Sequence, residues 1–587
     1  SKYNHQITRN GDVSMGTFSP FSLEDRYWSN YLNGNHPIEI ADSGNGLDLS
    51  GDFTVEFWAY ETAIATAGAT VNMYLTIDTL DRFQFSNNGS NNILYINGGS
   101  VFSSTTAPLN QWNHIAIVRE GSGSNNISYY LNGTREAQGT STYSIAAASM
   151  MLGGQDRGGT TGYHGFFGYL SNFRILKGTA LYSGASITVP TEPLTAITNT
   201  SLLTCQSNRF IDNSTNSMAL TTDTSSPAKV QPFSPFTPTR SYSKDVVGGS
   251  AYFDGTDDYL NATLPSGIGT LDMTVEFWYY PTVFADYLSP FSINASGSRG
   301  EGFNIGSDAN GKLKFVDTDG TNYESGNNQL QLNSWHHIAV TREGSTVRVF
   351  HQGTQLGTVS NSENWSGKIV ALGARADDFS EEITGYISNC NLVIGTAKYG
   401  ASGYTIPSTQ ITAHANTQFL VNFTNAGIID HTMRNNLESE SNTRISGQQV
   451  KFGTGSIYFD GTSDVIKMPN DGQFTFGTGD FTIEMFVYAV KTTEQALYDG
   501  RSANGAYRYL LIQNFTNKFI YYTNTQQEIT ANDTVPLNQW VHLALVRYSG
   551  TTKMYVNELM SGRYDPRPKA TAFPNDSQEA YKGMLVV

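Results

Sequence analysis

The chain has 587 residues, and because a single hydrophobic core rarely extends beyond about 250 to 300 residues, this length predicts two to four domains. Aromatic residues make up 12% of the chain and charged residues only 15%, a composition that favours short strands and tight turns over helices. The formal charge of −16, which no cluster of basic residues interrupts, would repel phosphate groups, so nucleic acid is not an expected partner.

Covalent and membrane anchoring are not expected features of this chain. The two cysteines, Cys205 and Cys390, stand at positions that the repeats described below do not share, so no disulfide framework is predicted. No apolar run approaches the roughly 18 residues of a membrane helix, so membrane insertion is not expected either. The stability of the fold must therefore come from packing.

The first repeated motif has the alternation of a β-strand. It reads Phe53-Thr-Val-Glu-Phe-Trp58, Met273-Thr-Val-Glu-Phe-Trp278 and Phe481-Thr-Ile-Glu-Met-Phe486. Alternation sends Phe53, Val55 and Phe57 to one face of the strand, and the other face receives Thr54, Glu56 and Trp58. Three copies at a period of about 210 residues indicate whole domains in tandem.

A second motif follows each copy of the first, with its central Trp 54, 57 and 54 residues after the end of the first motif. The three copies are Leu109-Asn-Gln-Trp-Asn-His-Ile-Ala-Ile-Val-Arg119, Leu332-Asn-Ser-Trp-His-His-Ile-Ala-Val-Thr-Arg342 and Leu537-Asn-Gln-Trp-Val-His-Leu-Ala-Leu-Val-Arg547. A strand that ends in a turn comes next, as in Tyr129-Tyr-Leu-Asn-Gly133, and Asn-Gly is a strong hairpin signal. We expect Trp112, Trp335 and Trp540 to occupy equivalent, largely buried positions.

A third motif closes the first two repeats, as Gly168-Tyr-Leu-Ser-Asn172 and Gly385-Tyr-Ile-Ser-Asn389. The segment Phe18-Ser-Pro-Phe21 also recurs, as Phe233-Ser-Pro-Phe236. These landmarks predict domains at residues 1–199, 200–413 and 414–587. The first domain is expected to lack its N-terminal strand and the third its C-terminal strands, as in a piece cut from a longer chain.

Taken together, the motifs resemble those of the laminin-G-like members of the concanavalin A-like lectin superfamily. The resemblance implies a jelly roll of two antiparallel sheets packed face to face, and hence an all-β chain of three tandem β-sandwiches. In style, the repeats also resemble modules of structural proteins of tailed bacteriophages of marine bacteria. The fold does not fix the function, because this sandwich hosts lectins, glycosidases, adhesion modules and spacers.

An enzymatic role is not expected. A retaining hydrolase of this superfamily needs two carboxylates about 5 Å apart, and the chain has no Glu-x-Asp-x-Glu pattern. Glu61 follows Glu56 by five residues, which turns it to the opposite face of a strand, and the other repeats have Pro281 and Ala489 in its place. Structural hydrogen bonds are therefore the predicted role of the repeated carboxylates Glu56, Glu276 and Glu484.

The repeated histidines and arginines are also interpreted as structural. One histidine per repeat is a poor metal site, and a satisfied core residue is the preferred interpretation of His114, His337 and His542. The arginines at the ends of the same strands are expected to bond to neighbouring loops, with recognition of an acidic sugar as the alternative. They are Arg119, Arg342 and Arg547.

Calcium is the metal that the resemblance makes plausible, since laminin-G-like modules bind it with carboxylates of the rim loops. The candidate ligands are Asp254, Asp257, Asp258, Asp460 and Asp464. An ordinary Asp-Gly turn explains the same residues and is the preferred alternative.

The predicted function is that of a virion structural or surface protein, such as a tail fibre, a tail-associated protein or a capsid-decorating protein. Its tandem modules would bind a host-cell glycan or other virion subunits within a homo- or hetero-oligomeric assembly. The alternative is a bacterial surface adhesin or an extracellular filament protein, located outside the cell or on its surface. A secreted glycoside hydrolase is the least favoured alternative.

Overall fold

The computed structural model describes the chain in two compact units, one that extends to residue 426 and one that runs from residue 435 onward. Strands, turns and bends make up the described residues, with no helix among them. The description leaves out residues 1–5, 12, 17, 23–25, 35–36, 43, 45, 65–70, 78–82, 148, 156–163, 223–226, 237–242, 244, 318–319, 425–436, 441–442, 454, 463, 469–475, 477–478, 501–510, 524–525, 565–582 and 586–587.

The strands are numbered in chain order. The first group is β1 (Thr8–Asn10), β2 (Ser14–Gly16), β3 (Ser29–Asn33), β4 (Ile38–Ala41), β5 (Phe53–Glu61), β6 (Asn72–Ile77), β7 (Phe83–Asn87), β8 (Asn91–Ile96), β9 (Gly99–Thr105), β10 (Trp112–Arg119), β11 (Ile127–Leu131), β12 (Thr134–Gly139), β13 (Ser149–Leu152), β14 (Phe167–Lys177) and β15 (Thr200–Thr204). The second group is β16 (Ala219–Thr222), β17 (Lys229–Gln231), β18 (Ser250–Asp254), β19 (Tyr259–Thr263), β20 (Met273–Pro281), β21 (Leu288–Ala295), β22 (Ser298–Ser307), β23 (Leu313–Asp317), β24 (Gly320–Glu324), β25 (His336–Glu343), β26 (Thr346–His351), β27 (Thr354–Ser360), β28 (Ile369–Leu372), β29 (Thr384–Ile394) and β30 (Thr417–Val421). The third group is β31 (Glu438–Glu440), β32 (Arg444–Ser446), β33 (Ser456–Tyr458), β34 (Val465–Met468), β35 (Phe481–Tyr488), β36 (Gln495–Asp499), β37 (Leu511–Phe515), β38 (Lys518–Thr523), β39 (Gln526–Thr530), β40 (Trp540–Tyr548), β41 (Thr551–Val556), β42 (Leu559–Tyr564) and β43 (Gly583–Leu585).

The first unit contains two antiparallel sandwiches of the same design. In the first sandwich, the sheet β12-β11-β10-β5-β14-β3-β17, with β15 beside β14, faces the sheet β16-β4-β13-β6-β7-β8-β9. The second has the sheets β2-β18-β29-β20-β25-β26-β27, with β30 beside β29, and β1-β19-β28-β21-β22-β23-β24. Phe53 and Phe57 on β5 meet Phe83 and Phe85 on β7 across the first core, as the alternation predicts. The all-β tandem-sandwich fold is confirmed.

The second unit is a third sandwich described over fewer residues. Its sheets are β31-β34-β43-β36-β37-β38-β39 and β35-β40-β41-β42, and β32 and β33 form a separate pair. Phe481 and Leu543 of the second of these sheets share a buried cluster with Phe519 and Tyr521 of the first. The core again lies between two sheets.

The first two sandwiches exchange their leading strands. In the first unit β1 pairs with β19 and β2 with β18, which places these two strands in the second sandwich. Reciprocally, β16 pairs with β4 and β17 with β3, so these two strands complete the sheets of the first sandwich. In the third sandwich β31 pairs with β34 and β32 with β33, within the same sandwich.

The strand pairing differs from the domain boundaries drawn at residues 200 and 414. Strand β15 adds to β14 of the first sandwich, and β30 adds to β29 of the second. Strands β15, β16 and β17 therefore belong structurally to the first sandwich, although they open the second repeat. The repeat period fixes the number of sandwiches, but it cannot tell which sheet edge an extra strand joins.

The repeated motifs hold backbone conformations that few residues adopt. Asn110, Asn333 and Asn538 of the second motif all have φ of 56° or 57°, and asparagine tolerates the left-handed region. In the third motif, a Cβ added to Gly168 would lie 2.0 Å from the Tyr60 carbonyl oxygen, and its φ is 143°. The motifs thus mark turns and close approaches of the backbone.

The register of the second motif is confirmed. Each of its tryptophans lies beside a tyrosine of the neighbouring first-motif strand, with ring centroids 5.6, 5.4 and 5.5 Å apart. The pairs are Trp112 with Tyr60, Trp335 with Tyr280, and Trp540 with Tyr488. Trp335 is fully buried, whereas Trp112 and Trp540 are half-buried.

Arg342 offers a test of how a motif arginine stabilises its sandwich. The side chain is 1% exposed, its guanidinium lies 3.8 Å from the centre of the Trp365 ring, and it donates to the carbonyls of Gly269, Leu271 and Glu363. A lysine cannot reproduce this planar fork, so we expect Arg342→Lys to lower the free energy of unfolding by about 2 to 3 kcal/mol. Arg348→Lys is the control, because its partner Glu343 has a side chain 60% exposed. Urea denaturation giving equal losses for both variants would contradict this role.

Candidate functional site

The repeated carboxylate of the first sandwich lies in a buried network. Glu56 is 0% exposed and accepts hydrogen bonds from Arg174 Nε at 2.9 Å and from Tyr182 Oη at 2.7 Å, with His114 Nε2 at 3.4 Å. Burial alone would raise the pKa of Glu56, but His114, Arg174 and Tyr182 lower it below the usual range. The carboxylate is therefore held ionised and fully occupied by structural partners.

The second sandwich compensates the charge of its buried carboxylate with different residues. Glu276 is also 0% exposed and accepts from Asn391 at 2.8 Å and Tyr399 at 2.5 Å, while Lys398 forms the ion pair. Burial would raise its pKa, and the charge of Lys398 lowers it. His337 lies 3.8 Å away and bonds through Nδ1 to Tyr404. Among the described residues of the third sandwich, Glu484 lies 3.3 Å from His542 and its side chain is 64% exposed.

No pair of carboxylates with a hydrolase's spacing forms around Glu56. Glu61 is buried on the core side, where it accepts hydrogen bonds from Asn72, Asn87 and Tyr74. Burial raises the pKa of Glu61 to about 7. Glu56 and Glu61 thus serve separate networks on opposite sides of one strand, as their odd spacing predicts.

The motif arginines bond to loop carbonyls in each sandwich. Arg119 donates to Gly51, Leu49 and Tyr143. Arg547 donates to Gly479 and Phe476, and it lies 4.8 Å from the centre of the Phe481 ring. Bonding to neighbouring loops is the role that the sequence favours for these residues.

The calcium candidates lie in two hairpin turns of the same geometry. Asp258 Oδ2 accepts from the amide of Asp254 at 2.8 Å, and Asp464 Oδ2 accepts from that of Asp460 at 2.5 Å. The first aspartate of each turn accepts from the amide two residues on. Asp257 lies in the first of these turns, between Asp254 and Asp258, and has φ of 57°. These bonds are those of an Asp-Gly turn, and within the described part of the chain no three metal-binding side chains gather. Calcium binding at these residues stays a prediction.

A charged cluster that the sequence did not single out lies at one rim of the second sandwich, in the loop between β28 and β29. Arg375 is its centre, bonded to Asp377 at 2.7 Å and also to Asp378 and Glu381. Burial would lower the pKa of Arg375, but Glu381 and Asp377 raise it. The guanidinium thus cross-links three carboxylates and holds the loop in shape.

Aromatic side chains border this loop. Phe379 stacks on Tyr259 with ring centroids 4.2 Å apart and planes 9° from parallel. Glu381 also accepts from Ser289 Oγ, at the start of β21. Next to that strand, Tyr287 is 67% exposed and has the Lys314 ammonium 5.8 Å from its ring centre. We call these residues, Arg375 to Glu381 with Tyr259, Tyr287 and Lys314, the rim cluster.

The backbone of the rim cluster is strained in several places. Tyr287, Phe379 and Glu381 have φ of 61°, 57° and 62°. Left-handed conformations are unfavourable for bulky side chains and concentrate at functional sites. The corresponding loop of the first sandwich falls in residues 156–163, outside the described residues.

The comparison with protein families identifies the modules. The family model Laminin_G_3, of the concanavalin A-like lectin/glucanases superfamily, matches residues 32–181, 254–393 and 460–579, which together exceed half of the chain. The chain belongs to this family. The matches begin near β3, β18 and β33.

Several solved structures align with parts of the chain at low identity and low TM-score. Domain 4 of an arabinanase from Geobacillus stearothermophilus, solved with arabinotriose, is 17% identical and aligns over 27% of this chain and 76% of its own, with a TM-score of 0.22. Mouse laminin alpha1 domains LG4-5 are 10% identical, and the alignment covers 65% of this chain and 94% of the laminin chain, with a TM-score of 0.20. The sialyllactose-bound CBM40 of a Ruminococcus gnavus sialidase is 12% identical, and the alignment covers 24% of this chain and 85% of the CBM40 chain, with a TM-score of 0.20.

No curated protein matches the chain. Among the described residues, none forms a helix of the length and apolar character that spanning a membrane requires.

Sequence reasoning missed the rim cluster of the second laminin-G module. Its one visible signal is the run Arg375-Ala-Asp-Asp-Phe-Ser-Glu-Glu382, which alternates charge with an aromatic residue. A run of this kind is indistinguishable from a solvated loop until the backbone brings Tyr259 and Tyr287 beside it. The run therefore gained its interpretation from the structure.

Buried histidines predict that this laminin-G module loses stability in acid. Burial lowers the pKa of both His336 and His337 to about 4, whereas an unfolded histidine titrates near 6.5. Between these values the unfolded state binds more protons, so the free energy of unfolding falls as the pH is lowered. Between about pH 7.5 and 4.5 we expect a loss of about 2 to 3 kcal/mol per histidine, measured by urea denaturation.

The variant His336→Gln should show a smaller loss over the same pH range, because it removes one of the buried histidines whose pKa is lowered. His414→Gln is the matched control, since His414 is exposed. An unchanged pH slope in His336→Gln would refute the contribution of that histidine.

Proposed function

We propose that this chain is a non-enzymatic carbohydrate-binding protein of a virion surface, in which the tandem modules attach to host glycans. The family supports the carbohydrate-binding half of this proposal, because its members are lectins and glucanases. The tandem arrangement of the modules supports attachment, since tandem sites convert weak affinities for single sugars into useful binding.

The rim cluster is the observation that carries the proposal. Tyr287 presents an exposed aromatic ring, the surface on which a sugar ring stacks, and Lys314 and Asp308 lie beside it as hydrogen-bonding groups 2.8 Å apart. The Arg375 ion pairs fix the neighbouring loop, so that little ordering is needed upon binding. Such a preorganised rim suits recognition of a ligand from solution.

The sheet centres support binding over hydrolysis. The carboxylates Glu56 and Glu276 are buried and held by structural partners, which leaves them no path to a glycosidic bond. A hydrolase would also need a second carboxylate in reach of the same bond. We therefore expect no hydrolysis of β-glucans by the purified chain.

Binding by the rim is tested with Tyr287→Ala. We expect this variant to weaken binding to a glycan array by about tenfold or more, since the stacking surface is removed. Val283→Ala is the matched control, because Val283 is 48% exposed but has no ring. Both variants should unfold at the same urea concentration as the parent. Unchanged binding by Tyr287→Ala would show that the sugar site lies elsewhere.

The virion setting needs a separate measurement. Mass spectrometry of purified phage particles is expected to find the chain in stoichiometric amounts. Finding it instead in the cell-wall fraction of bacteria would support the alternative, a surface adhesin or filament protein. The two results leave the glycan-binding test unaffected, because that test uses the isolated chain.

A further inference from the structure

The two Phe-Ser-Pro-Phe segments have no place in the proposed function, yet all four of their phenylalanines are buried. The first segment connects β2 to β3, and its Phe18 lies on the second sandwich, with ring centroids 5.0 Å from Tyr280, 5.1 Å from Trp335 and 4.9 Å from Tyr386. Phe21 lies 5.9 Å from Trp278 of the same sheet. The first segment therefore covers the second sandwich.

The second segment makes the reciprocal contacts. It connects β17 to β18, and its Phe233 lies 5.1 Å from Tyr60, 5.1 Å from Trp112 and 4.7 Å from Tyr169 of the first sandwich. Phe236 lies 5.7 Å from Trp58. We call the receiving surfaces the outer aromatic faces; they consist of Trp58, Tyr60, Trp112 and Tyr169 in the first sandwich and of Trp278, Tyr280, Trp335 and Tyr386 in the second.

The third sandwich shows what happens without this segment. Between β32 and β33 its connection has no Phe-Ser-Pro-Phe sequence and carries Phe452, which lies 5.1 Å from Phe486 of the same sandwich. There β31 and β32 pair with β34 and β33 of their own sandwich. Exchange and the Phe-Ser-Pro-Phe connection thus occur together, and self-pairing occurs where the segment is missing.

We propose that Phe-Ser-Pro-Phe is an exchange signal: it directs the leading strands of one sandwich into its neighbour and so locks the first two sandwiches into a closed, strand-exchanged pair. The strands themselves cannot make this choice. Thr8 pairs with Asn261 of the second sandwich, and Thr221 pairs with Glu39 of the first. The two acceptor positions are equivalent: Glu39 follows Ile38, which pairs with Leu152 at the end of β13, and Asn261 follows Leu260, which pairs with Leu372 at the end of β28. The backbone ladder is the same in either arrangement.

In the exchanged arrangement each connection buries its phenylalanines on the outer aromatic face of the neighbouring sandwich, and a bond between the two connections holds the first segment there. Each phenylalanine is about 5% or 6% exposed, and full burial of such a ring is a large part of the free energy of a small interface. Polar bonds fix the path of the first segment: Ser19 Oγ donates to the Val247 carbonyl and Ser250 Oγ to the Phe18 carbonyl, both at 2.5 Å. Closed exchange of identical elements gives a fixed pair.

Cysteine pairs distinguish the two arrangements in the full chain. Thr8→Cys with Asn261→Cys and Thr221→Cys with Glu39→Cys test exchange, whereas Thr8→Cys with Glu39→Cys and Thr221→Cys with Asn261→Cys test self-pairing. The same four positions serve all four variants, and paired residues lie about 5 Å apart between Cβ atoms. A short bis-maleimide links the thiols at low protein concentration, and peptide mass spectrometry locates the links. The native Cys205 and Cys390 are buried.

We expect the first two variants to form links within one chain at a yield at least about tenfold higher than the last two. Glu438→Cys with Lys467→Cys, a pair within the third sandwich, is the positive control. Links in the self-pairing variants, links between two chains, or links in the control alone would each overturn the proposal.

The signal itself is tested by Phe18→Ser with Phe233→Ser in the cysteine backgrounds. We expect the links to redistribute toward the self-pairing variants by about tenfold, because the burial that favours exchange is lost. Val246→Ser, in the same connection as Phe233 but 41% exposed, should leave the links unchanged. Undiminished exchange in the double variant would assign the choice to another part of the chain. If the double variant does not fold, Phe18→Leu with Phe233→Leu carries the test, because it keeps apolar side chains but removes the ring contacts; exchange links undiminished in that variant would overturn the role of the segment.

Discussion

The central strand of each large sheet in the first unit is buried on both faces, and this constraint governs its surroundings. Strand β5 pairs with β10 on one side and β14 on the other, and β20 pairs in the same way with β25 and β29. A charge on such a strand has no access to water and must be compensated by the protein, since an unpaired buried charge costs several kcal/mol. The networks around Glu56 and Glu276 follow from this requirement.

The same constraint moves recognition from the sheets to the rims. One face of each large sheet forms the core, and the other is covered by the outer aromatic contacts and the carboxylate network. Loops at the rim lie outside the regular strand pairing, so their sequences can vary between copies without disturbing the core. The rim cluster of the second sandwich is built around such a loop.

Much of the fold could be predicted because its signals are local. Alternation in the Phe53 to Trp58 motif identifies the central strand, and Asn132-Gly133 identifies a hairpin whose residues both have positive φ, 49° and 88°. The exchange of β1 and β16 could not be predicted, since either sandwich offers the same edge. The rim cluster could not be predicted for a similar reason, because Tyr287 and Phe379 are distant in sequence and only the paired strands bring their loops to one rim.

Comparison of the two carboxylate networks shows that charge compensation is maintained while the residue that supplies it changes. In the first sandwich the cation is Arg174, on the strand beside Glu56, and Leu181 stands in the following loop. In the second, the strand position holds Asn391, and the cation is Lys398 at the loop position equivalent to Leu181.

Tyr182 and Tyr399, one residue further along, bond to the carboxylate in both sandwiches. A loop lysine can replace a strand arginine because both reach the same oxygen, and the neutral asparagine keeps the strand hydrogen bond. The buried glutamate is therefore the element that the first two sandwiches share. Its cation is free to change position as long as one positive charge reaches the carboxylate, which explains why the glutamate was visible as a motif and its partner was not.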